Sequence, residues 1–498
     1  MSVAELKSYG EVTPEVIKEL REQLDSPLEC LITNDLEQYA KDRSIYPGKV
    51  PRIAVLPKST EEVANILKVC TKFKIPVTTR GAGSGVEGGA IPLEGGLVLS
   101  TENLRKIRVD VTNMYADVGA GVFKNELNAE LRRKGLIFGP DPASNPSVGG
   151  MVSTSGSGLS TMRYGTTREN VVSLLVVTPQ GQIIRTRQKV RKASTGYELT
   201  QLYIGAEGTL GVVTEITVRV FPFQKCKAGV VSVFPSLRQA AEAVVAILKS
   251  DRSSLVRCEL LNSMMIDGTN AAFDTALSAE PTLFLEFQAN NMGLIRSQWK
   301  RICALLRRFG AAKEPQYSED AKGIDKLWGA RRGCYFTAIK YRKLTKKSTT
   351  MDKVYLTDVC VPISNLAECV AETESDFLKM DLPCLICAHI ADGNFHCLVP
   401  FKPHEKAKVK DAEHRMIARA VRLGGAVSGE HGVGIGKRQH ICLEHGEEHI
   451  NLQRRIKKAL DPDLIMNPHK IFVMKQPAGG DEAAAACKKG PVVSRAKL

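Results

Sequence analysis

Two histidines seven residues apart bracket a turn: in ICAHIADGNFHCLV, His389 and His396 stand at the ends of ADGN, between two apolar half-strands. If those half-strands pair, the imidazoles converge on one side. Glu430 and His431 lie in a glycine-rich island further on, and one carboxylate beside two imidazoles is a donor set for Zn²⁺ or Mn²⁺ with positions left open for substrate. The spacing lacks the helical logic of HExxH, so two hydrogen-bonded core histidines and a surface Glu-His pair fit it equally well. Arg331, in LWGARRGCYF, follows an apolar Leu327-Trp328 step on a helical pattern. Pointing inward, it would have its fork free for a carboxylate. A surface ion pair is the commoner fate of an arginine.

A second chemistry is carried by glycine. The segment GAGSGVEGGAIPLEGG (81–96) has seven glycines in sixteen residues, which forbids regular structure and lets backbone N–H groups turn inward around an anion, with Arg80 at the entrance. Gly83, Gly85 and Gly88 have GxGxxG spacing, and Glu102 follows about twenty residues on. A Rossmann unit is still excluded, because Gly and Pro occupy the place where its helix must propagate. A surface turn would explain one such loop. Two more of like composition, 149–165 and 205–211, favour a large cofactor enclosed by several. SGEHGVGIGK is not a P-loop, since His431 stands where GxxxxGK needs its first glycine and Arg438 replaces the Ser/Thr.

These residues hang on alternating strand and helix patterns. IAVLP and IPVTTR read as strands around a helix at STEEVANILKVCTKF, whose Ser59/Thr60 and Glu62 form a capping arrangement. The expected organisation is a helical leader (1–46), a glycine-rich cofactor domain (47–225), a cap with fewer glycines (226–425), a C-terminal segment (426–474) and a low-complexity tail (475–498).

The composition is that of an ordinary globular chain of 498 residues, 43% apolar and 25% charged, with no apolar run near the ~18 residues a spanning helix needs. The start carries neither a basic nor an apolar leader, so no secretory signal or organelle presequence is expected. Thirteen scattered cysteines read as free thiols rather than a disulfide framework. A net charge of +15 would suit nucleic acid or an anionic membrane surface, the reading of a different, non-catalytic class. The basic runs KYRKLTKK and QRRIKKAL lack the aromatic interleaving of nucleic-acid binders, so solvated faces are expected.

In order and spacing, RGAGSGVEGGAIP, DPASNPSVGGMVSTSGSG, RYGTTRENV, YIGAEGTLGVVTEITVRV, LWGARR, TDVCVPIS, HIADGNFH, SGEHGVGIGKRQ and DPDLIMNPHK resemble the FAD-dependent D-lactate dehydrogenases of the vanillyl-alcohol oxidase superfamily. Those enzymes are related to D-2-hydroxyglutarate dehydrogenase and the glycolate oxidase D subunit. The likeness spans residues 42–472, and TDVCVPIS with LWGARR favours the eukaryotic D-lactate type. It implies an α+β fold: a PCMH-type (vanillyl-alcohol oxidase-like) FAD-binding domain, an antiparallel-sheet cap, and a C-terminal helical segment returning to the flavin.

Carried over by position, the resemblance implies that Arg80, Gly81, Ala82, Gly83, Ser84, Gly85 and Gly88 wrap the FAD pyrophosphate. Pro140, Ser147, Gly149, Gly150, Ser153, Thr154, Gly156 and Gly158 would line the flavin and ribityl, with Glu207, Gly211 and Val213 on the adenine side and Asn467 closing the site. His389, His396 and Glu430 match the divalent-metal ligands, His431 the catalytic base and Arg331 the clamp for a substrate carboxylate. The implied reaction is oxidation of D-lactate, or a similar short D-2-hydroxy acid, to the 2-oxo acid, with hydride passing to the flavin and electrons leaving to cytochrome c, a quinone or another acceptor. D-2-hydroxyglutarate or glycolate dehydrogenase, or a flavin oxidase, are the alternatives. FAD should be non-covalent, since no His or Cys stands where relatives attach flavin. Ala391 and His469 replace glycines of the pattern, which questions the local turns if they need φ > 0. Leu356 replaces the lysine that hydroxyglutarate enzymes keep for a distal carboxylate.

The ending Ala-Lys-Leu is like the S-K-L peroxisomal address. It predicts capture by a peroxisomal import receptor and residence in a peroxisome or glycosome, with cytosol or mitochondrion as the alternative.

Overall fold

The helix Thr60–Phe73 forms where the capping pattern predicts it, the Ser59 hydroxyl accepting the Glu62 N–H at 3.1 Å. It buries Val63, Ile66, Leu67 and Cys70. The strands around it, Ile53–Val55 and Val77–Arg80, run parallel to Leu97–Ser100, and Leu31–Ile32 adds antiparallel at the edge. In this computed structural model residues 9–474 are described, except 274–275 and 346–348. The tail from 475, with its Ala-Lys-Leu ending, lies outside the described residues.

The chain divides into two compact units. Among the described residues the first takes 9–157, 165–222 and 430–474; the second takes 158–164 and 223–429. In the first unit a five-stranded antiparallel sheet, in the order Ile107–Asp110, Tyr115–Gly119, Val212–Arg219, Val171–Val177, Ile183–Arg185, accompanies the mostly parallel one. One apolar core joins them, and the late residues Ile465 and Met466 belong to it. Their stretch docks on the strand at Val77, whose N–H donates to the Ile465 carbonyl at 2.8 Å while the Asn467 N–H donates to the Val77 carbonyl at 2.7 Å. Lys457, on the helix Glu447–Leu460, is buried and donates to the Thr209 and Met466 carbonyls and to Asp461.

The second unit is an eight-stranded antiparallel sheet covered by helices. Strands Leu255–Leu261, Leu385–His389 and Asn394–Phe401 are neighbours in it. The helix Ala321–Arg332 is pinned to the sheet by Trp328, whose indole packs edge-on against Phe284 and donates to the Leu285 carbonyl at 3.3 Å. Burying an aromatic side chain of this kind contributes about 1.5–3 kcal/mol, enough to fix the register in which the helix presents Arg331. Among the described residues eleven cysteines are free thiols, as expected, whereas Cys442 is disulfide-bonded. No helix among the described residues is long and apolar enough to cross a membrane.

Candidate active site

In the first unit, the segment 81–96 contains no helix, in keeping with the rejected Rossmann reading. Ser147 ties the loops together: its hydroxyl accepts from the N–H of Gly150, as the N-cap of the helix Val148–Thr154, and from the N–H of Ala82, both at 3.3 Å. Gly149 lies so close to the end of the neighbouring strand that a Cβ there would stand 2.7 Å from Ala120. Gly83 has φ +62°, and a Cβ would meet the Arg80 guanidinium at 2.2 Å. Arg80 is therefore folded over its own loop, above the Tyr39 ring, with Nη1 donating to the Lys41 carbonyl at 2.6 Å. Thr154 donates back to the Gly150 carbonyl, and the Ser153 carbonyl accepts the Glu207 N–H. Pro140 and Val213 are buried, and Gly211 approaches the Val177 carbonyl closely. Gly156 belongs to this unit, Gly158 to the other. Glycine loops that turn their backbone N–H groups inward, with Gly149 and Gly211 in close approach to neighbouring backbone, fit a long anionic cofactor.

Glu207 and Asn467 have partners within the protein. The Glu207 carboxylate accepts the N–H groups of Val433 and Gly434 at 2.7 and 2.8 Å, anchoring the loop that carries Glu430 and His431. Burial pushes its carboxyl pKa up, opposed by those two N–H bonds and by Lys470. The Asn467 amide donates to the Gly89 and Glu207 carbonyls, holding two glycine loops together. Glu430 itself accepts from the Ser157 hydroxyl at 2.7 Å. His469 keeps the turn its replaced glycine would have made, at φ +64°, with its ring on Glu94 and its carbonyl accepting from Arg438. Ala391 needs no such conformation, because Gly393 takes the left-handed position at φ +78°.

In the second unit the strands bearing His389 and His396 pair antiparallel, and the rings meet edge to face with centroids 5.4 Å apart. His396 Nδ1 lies 3.0 Å from the Thr357 carbonyl, and His389 Nδ1 lies 2.7 Å from the Glu259 carboxylate. A carbonyl and an ionised carboxylate can only accept, so Nδ1 carries a proton in both rings; whenever either ring is neutral, its lone pair is then on Nε2, the form a metal ligand needs. Asp358, also buried, accepts from Asn394, Ser428 and the Gly429 N–H, and stands 3.7 Å from His396 Nδ1. Glu430 is the next residue along the chain from Gly429.

Arg331 does point inward, but its fork is not wholly available. Its Nε and Nη2 both lie 2.8 Å from Glu259 Oε2, because a guanidinium this deep must meet a counter-charge. Glu259 thus bridges Arg331 and His389. Burial pushes its carboxyl pKa up, but the charges of His389 and Arg331 and their hydrogen bonds outweigh that and hold it below its ordinary value. Sequence reasoning missed Glu259 and Asp358. The available signal was a lone acid inside an apolar strand, LVRCELL, and another between two short strands, in TDVC.

A model of the FAD linked oxidases' C-terminal domain matches residues 224–471, and a model of the FAD binding domain matches 51–187. An Arabidopsis thaliana protein named D-lactate dehydrogenase (cytochrome), mitochondrial, is 35% identical over 471 residues, covering 92% of this chain and 81% of that protein. The Saccharomyces cerevisiae D-lactate dehydrogenase (cytochrome) 1, mitochondrial, is 34% identical, with 86% and 73% covered. Glycolate oxidase subunit GlcD of Bacillus subtilis is 31% identical, with 87% and 92% covered. Among solved structures, p-cresol methylhydroxylase aligns with a TM-score of 0.76 at 17% identity, covering 91% of this chain and 95% of that one, a likeness of fold. The architecture is the PCMH-type FAD-binding fold with its antiparallel-sheet partner domain. The chain belongs to the FAD-linked oxidase family, among relatives that include the D-lactate dehydrogenases of plant and yeast.

Proposed function

We propose that the protein is an FAD-dependent dehydrogenase of D-lactate, or of a similarly short D-2-hydroxy acid, and that it hands electrons to an external acceptor such as a cytochrome or quinone. The observation that carries this reading is the buried histidine pair, each ring held through Nδ1 by an acceptor, in a chain whose relatives over most of its length are named D-lactate dehydrogenases. FAD would be held, non-covalently, by the loops around Gly81–Gly85, Ser147–Thr154 and Asn467. A divalent metal, Zn²⁺ or Mn²⁺, would be held by His389 and His396 with Glu430. When bound, the flavin supplies a two-electron acceptor and the metal a Lewis acid that acidifies the substrate hydroxyl.

The chain's own residues do the rest. Arg331 holds the substrate carboxylate with the N–H groups not turned to Glu259. His431, on the loop anchored by Glu207, takes the proton from the hydroxyl oxygen. Leu356, packed against the apolar cluster of the second unit, puts an apolar side chain rather than a cation at its position, which favours lactate over hydroxyglutarate. The GlcD relative makes glycolate the second reading.

Anaerobic mixing with D-lactate, L-lactate, glycolate and D-2-hydroxyglutarate, read as flavin bleaching, is the test. D-lactate should bleach fastest, and equal rates with both lactate enantiomers would defeat the reading. For location, the relatives' names favour a mitochondrion, while Ala-Lys-Leu supports a peroxisome or glycosome. A tagged protein that becomes cytosolic on loss of Leu498 would decide for the peroxisomal address; unchanged distribution would decide against it.

A further inference from the structure

The carboxylate of Glu259 is almost completely buried, its side chain 1% exposed, and each oxygen has a separate task. Oε2 faces Arg331 Nε and Nη2; Oε1 accepts from His389 Nδ1. The strand register explains the aim: Leu260 pairs with Ala388 and Leu261 with Cys387, so Glu259 lies across from His389 one step further along. A buried carboxylate is expensive to desolvate, and an ion pair with Arg331 alone would leave the second oxygen without reason to face an imidazole.

We propose that Glu259 is a positioning residue: it fixes His389 in the tautomer that presents Nε2 to the metal and ties that ring to the substrate-binding Arg331. The inference rests on the metal reading above. Its sharpest consequence is Glu259→Gln, which keeps shape and volume. Arg331 requires an acceptor, so the new amide turns its oxygen there and its NH₂ toward His389. Nδ1 must then accept, and the ring proton moves to Nε2, the atom the metal needs. The opposite amide orientation sets N–H against N–H at Arg331.

The test is metal binding by the FAD-loaded protein. Zn²⁺ and Mn²⁺ dissociation constants are measured by competition with a chelator for the wild type, Glu259→Gln and His389→Ala, with FAD content recorded for each. The proposal expects Glu259→Gln to bind metal roughly 10–100-fold more weakly with FAD content unchanged. Wild-type affinity in Glu259→Gln, while His389→Ala loses the metal, would overturn the positioning role and leave the metal reading intact. A wild type without stoichiometric metal, or His389→Ala binding as well as wild type, would remove the metal reading and the proposal with it. Should Glu259→Gln fail to fold, the tautomer is read directly in wild-type protein labelled with ¹⁵N-histidine, the His389 signal being assigned by its loss in His389→Ala. A proton on Nδ1 supports the role; a proton on Nε2 overturns it.

Discussion

In the first unit the groups gathered around the glycine loops are main-chain groups: N–H donors at a short helix, carbonyls tied by Asn467, and glycines whose missing Cβ is the feature that matters. In the second unit the prepared groups are side chains, Arg331, Glu259, His389 and His396, each held by a named partner. Backbone recognition suits a large cofactor that must only be held. Side-chain recognition suits a small substrate whose proton and charge must be handled. The same division predicts which changes empty the protein of flavin and which leave it yellow but slow.

The largest effect is expected at His431. Its replacement by Ala should slow flavin reduction by about 10²–10⁴-fold while FAD stays bound, measured by stopped-flow bleaching beside flavin content. His431 lies in the first unit, on the loop anchored by Glu207, so it is the exception that sharpens the division, and loss of flavin on its replacement would show that this side chain holds the cofactor instead. Next is Gly149→Val in the first unit. Its Cβ would press on Ala120, and overpacking of this kind costs about 1–3 kcal/mol, so melting temperature and FAD occupancy should both fall while metal content holds. A variant with full FAD occupancy would show that the loop can give way there.

Ser147→Ala should cost about 1 kcal/mol, the worth of an N-cap, and weaken FAD binding without touching substrate preference. Thermal melts with and without added FAD check both parts. The smallest effect lies outside either site. Asp376 is buried, which pushes its pKa up, but Arg415 and Arg419 outweigh burial and hold it below its ordinary value. Its folded pKa is thus below the unfolded one, so the stability it adds is present at neutral pH and lost as pH falls below about 4. Asp376→Asn should lower stability by about 1 kcal/mol at pH 7, with the gap to wild type closing in acid and with FAD and metal contents unchanged. A gap constant with pH would mean the ion pairs contribute nothing.

What was legible in the sequence follows the same division. The glycine-rich turns of 81–96, the capped helix at Thr60 and the histidines flanking ADGN are local patterns, and each is found as read, whereas 149–165, read as a loop, holds parts of the helix Val148–Thr154 and the helix Thr161–Tyr164. The partners of buried charges are not local. Glu259 is 72 residues from Arg331 and 130 from His389, so neither bond had a signature in spacing. Arg331 could be expected to point inward from the Leu-Trp step beside it, but that its fork was already engaged depended on a strand elsewhere in the sheet. His469 shows the converse limit: a missing glycine put a turn in question that the fold nonetheless holds, with Glu94 and Arg438 bracing a non-glycine residue at positive φ.

The pairing of Val77 with Ile465 and Asn467 has a consequence for biosynthesis. All the strands of the second unit lie between residues 226 and 401, so its sheet can close while the chain is still being made. The parallel strand at Val77 must wait for a stretch nearly four hundred residues downstream before its edge is covered. Contacts so distant in sequence form late. The first unit is therefore begun before the second and closed only after it, when the stretch carrying Asn467 ties the Gly89 and Glu207 loops together.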